Sequence, residues 1–369
     1  MRATRAIVHL DRLIQNIRAV RQKVGERRLI CMPVKADAYG HGAVQAAGAA
    51  QKAGVHYLAV ATVDEGILLR EQGIDFPILL LSIPQPEELP DVAANSLSPF
   101  ISDREFAVEM AGAAARVKRR LFVHLKVDTG MGRVGVSPEN AAELAGFIAS
   151  QPSLFYAGTA THLAVADSRA QENVEFTKTQ LALFQKALSS IRQAGLDPGI
   201  VHAANSGGVI LHEDSWFDMV RPGIALYGYS PLGPGDATLP LKPVMELKSR
   251  ISFIKRIKKG ETVSYGRRWT APEDTWIGTL PLGYADGLPR ALENFSVRIR
   301  DSFYPLAGRV CMDQCMVNLG GETDIERWED VTIFGGSAAG AWDIAEKVGT
   351  IPYEVTCNIS RRVPRIYES

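Results

Sequence analysis

The apolar positions of the chain follow two regimes that change near residue 230. Before that point, short apolar runs alternate with segments whose hydrophobic residues recur at helical spacing. Asp11 is placed to cap a helix in which Leu13, Ile14, Ile17 and Val20 follow a 3.6-residue period, and 29–35 reads as the first full strand after it. Further strand-like runs at 57–61, 78–81, 97–101, 121–127, 155–162, 200–204 and 217–220 bring the total to eight. Alanine-rich or amphipathic segments such as 103–117, 138–150 and 171–194 lie between most of them. Eight strands alternating with helices fit a (β/α)8 barrel, although a doubly wound open sheet shows much the same pattern. Pro33 is a misfit, because a barrel strand has no free edge for a residue without an N–H.

Polar strand ends separate the two topologies. Lys35, Lys126, His162, Asn205 and Arg221 stand at or just past the C-terminal ends of five different strands. A (β/α)8 TIM barrel gathers those ends on its catalytic rim, so the α/β region is read as a barrel spanning 9–235. Pro231-Leu232-Gly233-Pro234-Gly235-Asp236 is hostile to helix and reads as a linker. The runs 244–257, 276–282, 297–300, 310–319 and 331–334 then predict a C-terminal mainly-β domain over 236–369. Thr4 to Val8 is also strand-like and could add a strand to that domain.

Composition narrows the function classes. At 369 residues and 46% hydrophobic, the chain suits two domains with large cores. Lys+Arg and Asp+Glu are equal at 41 each, which gives no global electrostatic case for nucleic acid or an anionic membrane. The N-terminus reaches Asp11-Arg12 before a signal-peptide core could form, and no later run is long enough to span a bilayer, so a cytoplasmic protein is expected. Cys31, Cys311, Cys315 and Cys357 lack CxxC spacing, which favours reduced thiols over a disulfide framework or a metal site.

The run Val34-Lys35-Ala36-Asp37-Ala38-Tyr39-Gly40-His41-Gly42 sets a lysine between an apolar strand and a glycine-broken loop. A lysine, with an ordinary pKa of about 10.4, becomes a nucleophile only where burial or nearby cations favour its neutral form. By position alone Lys35 is equally a solvated strand-end lysine. Lys126 and Arg133 flank a second glycine turn, and two cations so close imply a neighbouring anion. Asn205-Ser206-Gly207-Gly208 and Arg221-Pro222-Gly223-Ile224 offer backbone N–H groups that an anion could approach at adjacent strand ends. A lysine amine, a phosphate cradle and arginines at one barrel mouth suggest pyridoxal 5′-phosphate, whose aldehyde forms a Schiff base with lysine.

These motifs, with Thr161-His162-Leu163, Ser264-Tyr265-Gly266 and Cys311-Met312-Asp313, resemble alanine racemase, a fold-type III pyridoxal phosphate enzyme, in family order over nearly the whole chain. The resemblance implies that Lys35 anchors the cofactor and serves as the acid/base on one face of Cα. Tyr265, reaching in from the partner of a head-to-tail homodimer, would serve the other face. It places Tyr39, Ser206 and Tyr353 hydroxyls and the Gly223 and Ile224 amides at the phosphate, with Asn205 in the same cofactor set. Arg221 would face the pyridine nitrogen, supported by His202, and His162 would lie beside the ring. Arg133 would meet the phenolate and the substrate carboxylate, with Met312 and Asp313 on the substrate side. Lys126 corresponds to a family lysine that can be carbamylated, and Tyr284, Arg290, Arg309, Asp167 and Ile351 to residues of the access corridor. Asp37 stands where Asn is also common. The product, D-alanine, would serve cell-wall peptidoglycan. A broad-specificity racemase is the main alternative. A pyridoxal phosphate-binding protein without racemase activity lacks the β domain, and a fold-type III decarboxylase carries an acid where Arg221 stands.

Overall fold

The strand β1 (Arg5–His9) runs directly into the helix Leu10–Val24, which buries Leu13, Ile17 and Val20 as their spacing requires. Asp11 sits inside the first turn rather than at the cap, where its charge still favours the helix N-terminus. This computed structural model describes residues 2–336 and 340–369. They form two compact units, one of Leu13–Ala38 and Ala43–Leu241, the other of Met1–Arg12, Tyr39–Gly42 and Lys242–Ser369. Among the described residues no helix is long and apolar enough to cross a membrane.

In the first unit, the strands β2 (Leu29–Pro33), β3 (Tyr57–Val60), β4 (Ile78–Leu80), β5 (Leu97–Ile101), β6 (Leu121–Lys126), β7 (Leu154–Ala160), β8 (Ile200–His202) and β9 (Met219–Val220) close into a barrel. All eight predicted strands are present, and the open-sheet alternative falls with closure of β2 on β9 through Leu29↔Met219 and Ile30↔Val220. The interior is filled by Cys31, Ala59, Leu79, Phe100, Ala160 and Met219. Helices at Arg104–Arg116, Ala141–Ser150 and Gln171–Gln193 match the predicted segments, the first with Asp103 accepting from Phe106 N as its cap.

Pro33 fits for a specific reason. Val34 N–H points toward β3, where it donates to Ala59 O at 2.8 Å, so by strand alternation position 33 faces the β9 side. There the ladder has already ended at Ile30, and the Pro33 carbonyl accepts instead from Tyr227 OH at 2.7 Å.

The second unit contains a six-stranded sheet in which β1 lies between β10 (Met245–Arg250) and the strand Arg365–Glu368. In that sheet Ala6 stands opposite both Leu247 and Arg365. The predicted run 244–257 breaks into two strands, because the chain leaves β10 at Arg250 and restarts at Phe253 in a separate three-stranded sheet. Of the predicted run 310–319 only Cys315–Gly320 is strand, since Cys311 to Gln314 closes a turn through Cys311 N and Gln314 O. Tyr39–Gly42 belongs to this unit, where Gly40 O accepts from Arg365 Nε at 3.0 Å. Two short helices, Ala341–Val348 and Pro352–Cys357, complete it.

Gly158 on β7 shows how closely the barrel interior is filled, for a Cβ there would collide with His124 Nδ1 and the Ile200 carbonyl. Gly158→Ala is expected to lower unfolding free energy by about 1–3 kcal/mol in urea titration, the usual cost of overpacking. An unchanged midpoint would contradict this packing.

Candidate active site

Arg221 follows β9 into the barrel mouth and is only 6% exposed. Its Nη2 donates to the carbonyls of Thr161 at 2.7 Å and Ala203 at 3.2 Å, and lies 3.3 Å from His162 Nδ1. Its Nη1 donates to His202 Nδ1 at 2.8 Å. An arginine has no acceptor, so a neutral His202 must carry its proton on Nε2, which is 3.0 Å from His124 Nδ1. The same rule puts the His124 proton on its buried Nε2, which has no hydrogen-bond partner among the described residues. Burial, followed by the Arg221 charge, pushes the His124 pKa down to about 3 and that of His202 well below its ordinary value. Burial also lowers Arg221 itself to about 10, leaving it protonated at neutral pH. Three linked groups thus carry one charge.

Around that charge the mouth is crowded with cations. Burial and then Arg221, Lys126, Arg133 and Lys35 all drive the His162 pKa down, which puts Lys35 in the same electrostatic neighbourhood. Lys126 is lowered by burial first and then by Arg221 and Arg133, opposed by Asp128. Burial works against the Asp128 carboxylate too, but the backbone N–H groups of Gly130, Gly132 and Met131 and the Lys126 charge outweigh it and lower its pKa. Arg133 rides on the loop so organised, which folds back onto the end of β6 through Val136 N and Lys126 O at 2.9 Å. Gly135, at φ 136°, has no room for a Cβ beside Asp128 N.

Lys35 begins a turn of unusual hand. Ala36, Asp37, Ala38 and Tyr39 have φ of 51°, 52°, 54° and 55°, a left-handed conformation that costs a non-glycine residue about 1–2 kcal/mol each. Such a turn persists only where its surroundings fix it. Here Ala38 N donates to Val34 O at 2.7 Å, Asp37 Oδ1 accepts from Ala43 N at 2.8 Å, and Glu65 Oε1 accepts from Ala36 N at 2.6 Å.

The small-residue turns form a second cluster. Asn205 caps the helix Ser206–Leu211 by accepting from Gly208 N at 3.0 Å, while its Nδ2 donates to Leu163 O at 3.1 Å. Its amide is therefore engaged in fixing Ser206. Ser206 Oγ accepts from Gly223 N at 2.8 Å and Ala225 N at 3.3 Å, which leaves its own O–H to donate elsewhere. Gly223 leads into the short 3₁₀ turn Ile224–Tyr227.

In the β unit, Tyr39 and Tyr353 face each other with ring centroids 6.0 Å apart. Tyr265 is 70% exposed, on a turn where Ser264 takes φ 67° and its Oγ donates to Arg309 O at 2.7 Å. The adjoining segment carries Met312, 53% exposed, and is fixed by Tyr284 N donating to Cys311 O and Ala285 N to Met312 O. Asp313 pairs with Arg362 at 2.8 Å, and Arg362 also reaches toward buried Asp286.

The sequence reading thus finds its residues in two groups. Lys35, Lys126, Arg133, His162, Asn205, Ser206, Arg221, Gly223 and Ile224 lie in the barrel unit, and Tyr39, Tyr265, Met312, Asp313 and Tyr353 in the β unit. It missed His124, although that residue shares strand parity with Lys126 on β6 and so faces the interior. It also missed Glu65 and buried Gln180, which ties His162 O and Ala164 N from the long helix Gln171–Gln193.

The histidine shifts set a pH dependence. Unfolded histidines titrate near pH ~6.5, so below that the unfolded chain binds protons that His124, His162 and His202 refuse in the fold. Stability should therefore fall as pH drops below ~6.5, approaching about 1.4 kcal/mol per pH unit for each buried histidine. Urea titrations between pH 7.5 and 5 should show His124→Asn flattening this fall, whereas an identical slope in the variant would contradict a neutral His124.

Comparison with known proteins agrees with the geometry. The family model described as alanine racemase, N-terminal domain, matches residues 8–231, and that described as alanine racemase, C-terminal domain, matches 244–367. An alanine racemase of Treponema denticola is 48% identical over all of this chain and 98% of its own length, and one of Treponema pallidum is 41% identical over the full length of both. Among solved structures, an alanine racemase of Clostridium difficile superposes with a TM-score of 0.94 at 37% identity, covering 100% of this chain and 96% of that one. The chain belongs to the alanine racemase family.

Proposed function

We propose that the chain, as a cytoplasmic homodimer, interconverts L- and D-alanine with pyridoxal 5′-phosphate at the barrel mouth. The observation that carries this reading is the convergence of Arg221, Lys126, Arg133 and Lys35 on His162, with Asp128 opposing the cations at Lys126. Such a mouth fits a ligand bearing a phosphate and a phenolate together with a substrate carboxylate. When bound, the cofactor supplies an electron sink that acidifies the Cα proton of an attached amino acid.

The residues divide that work. Lys35 would hold the cofactor through its aldehyde carbon and, once the substrate amine takes its place there and frees the lysine amine, would move a proton on one face of Cα. The Tyr265 hydroxyl moves a proton on the opposite face, which gives inversion. Tyr39, Ser206 and Tyr353 hydroxyls and the Gly223 and Ile224 amides would hold the phosphate, the Gly223 N–H turning to it from Ser206 Oγ, with Asn205 fixing Ser206. Arg133 orients the phenolate and, with the Met312 amide and Asp313, the substrate carboxylate side. Arg221 would keep a pyridine nitrogen beside it unprotonated, because a cation that does not readily give up its proton disfavours protonation of its neighbour. Weaker electron withdrawal into the ring favours rapid return of a proton to Cα. With its pKa lowered, Lys126 in its neutral form would add carbon dioxide and release a proton to water, which would set a carbamate anion beside Arg133. The 70% exposure of Tyr265 supports a base that is covered by a second copy of the chain.

The purified protein is expected to be yellow and to racemise alanine faster than serine or bulkier amino acids. Equal rates across that series would favour the broad-specificity alternative. Lys35→Ala should abolish the visible absorption, and an unchanged spectrum would defeat the assignment. Mixing inactive Tyr265→Phe with inactive Lys35→Ala should restore part of the activity through hybrid dimers. Proven subunit exchange without recovery would defeat the shared site.

A further inference from the structure

We infer that Glu65 is a positioning residue for Lys35, a single carboxylate that ties the left-handed turn carrying the amine to the neighbouring barrel strand. The inference rests on the reading of Lys35 as the cofactor anchor. The β2–β3 ladder ends where Val34 N donates to Ala59 O, and beyond it the change of hand turns the backbone out of the strand. Ala36 N–H, one residue past Lys35, is then received by Glu65 Oε1 at 2.6 Å. The other oxygen, Oε2, accepts from Ala61 N at 2.8 Å and Thr62 N at 3.3 Å, the residues that follow β3. One side chain therefore spans the C-terminal ends of two adjacent strands.

Glu65 also belongs to an ordinary capping box, in which Thr62 Oγ1 accepts from Glu65 N at 3.4 Å at the start of the helix Val63–Glu71. A capping box needs the Thr62 bonds alone. The bond to Ala36 crosses to another strand and has no part in capping. It constrains a turn of non-glycine residues at positive φ, whose relaxation would carry the Lys35 amine with it. Glutamine cannot replace this carboxylate fully. Its one acceptor oxygen serves either Ala36 or the Ala61–Thr62 pair, and its NH2 group then faces an N–H.

The test compares Glu65→Gln with Thr62→Ala, which removes the side-chain cap from the same helix but leaves the bridge to Ala36. Holoenzyme is used, with rates normalised to bound cofactor so that loss of folded protein does not register, and the visible absorption of Lys35-bound cofactor is recorded across a cofactor titration. Glu65→Gln is expected to lower kcat by about 10–100-fold, the loss typical of a displaced catalytic group, with little change in KM, and to weaken the absorption at a given cofactor concentration. Thr62→Ala should stay near wild type in both. Should Glu65→Gln not fold, Glu65→Asp, which keeps the charge but loses the reach, is expected to show the same two losses. Equal behaviour of the Glu65 and Thr62 variants, or unchanged kcat and absorption in the Glu65 variant, overturns the inference. Wild-type protein lacking the Lys35-dependent absorption overturns instead the cofactor reading beneath it.

Discussion

The desolvated guanidinium of Arg221 is the constraint around which the barrel mouth is organised. A buried charge is tolerated only when its donors are met, and here two carbonyls and two imidazoles meet them. The cost is passed on to the histidines, which stay neutral because a second charge beside the first would be neither hydrated nor paired. Burial first, and then the same field together with Arg133, depresses Lys126 and His162, so the titratable groups nearest Arg221 are biased toward their neutral forms. In the proposed racemase chemistry, a cofactor ring nitrogen facing this cation would withdraw electrons weakly and so would favour rapid return of a proton to Cα.

The turn that follows Lys35 is held in a strained conformation. Four successive residues at positive φ reverse the hand of the chain immediately after Lys35. Hydrogen bonds accepted by Val34 O, Asp37 Oδ1 and Glu65 Oε1 hold that reversal in place. The β unit works differently, leaving Tyr265 and Met312 largely exposed on turns whose backbones are firmly tied.

Much of this was legible in the chain. The barrel followed from eight apolar runs and from polar residues at their C-terminal ends, since buried parallel strands leave little freedom over where a polar side chain can sit. Pro33 misled because its tolerance depends on how far β9 extends, which no local pattern records. His124 escaped notice because a single histidine in a strand says nothing until β8 brings His202 within 3.0 Å. The left-handed turn was hidden for a related reason. Ala36 and Ala38 have no local preference for positive φ, and one of the groups that hold it, Glu65, lies 29 positions from Ala36 while the others are near neighbours. In the β region, the breaks at Ile251 and at Cys311 to Gln314 are set by sheet switching and a tight turn rather than by loss of apolar character.

The central claim is that Arg221, His202 and His124 form a directed chain carrying one positive charge. Nitrogen-15 NMR of protein with labelled histidine measures it most directly, because imidazole nitrogens report both charge and tautomer. At pH 6 the account predicts His202 and His124 neutral, each with its proton on Nε2. An imidazolium at either position, or a proton on His202 Nδ1, would contradict it.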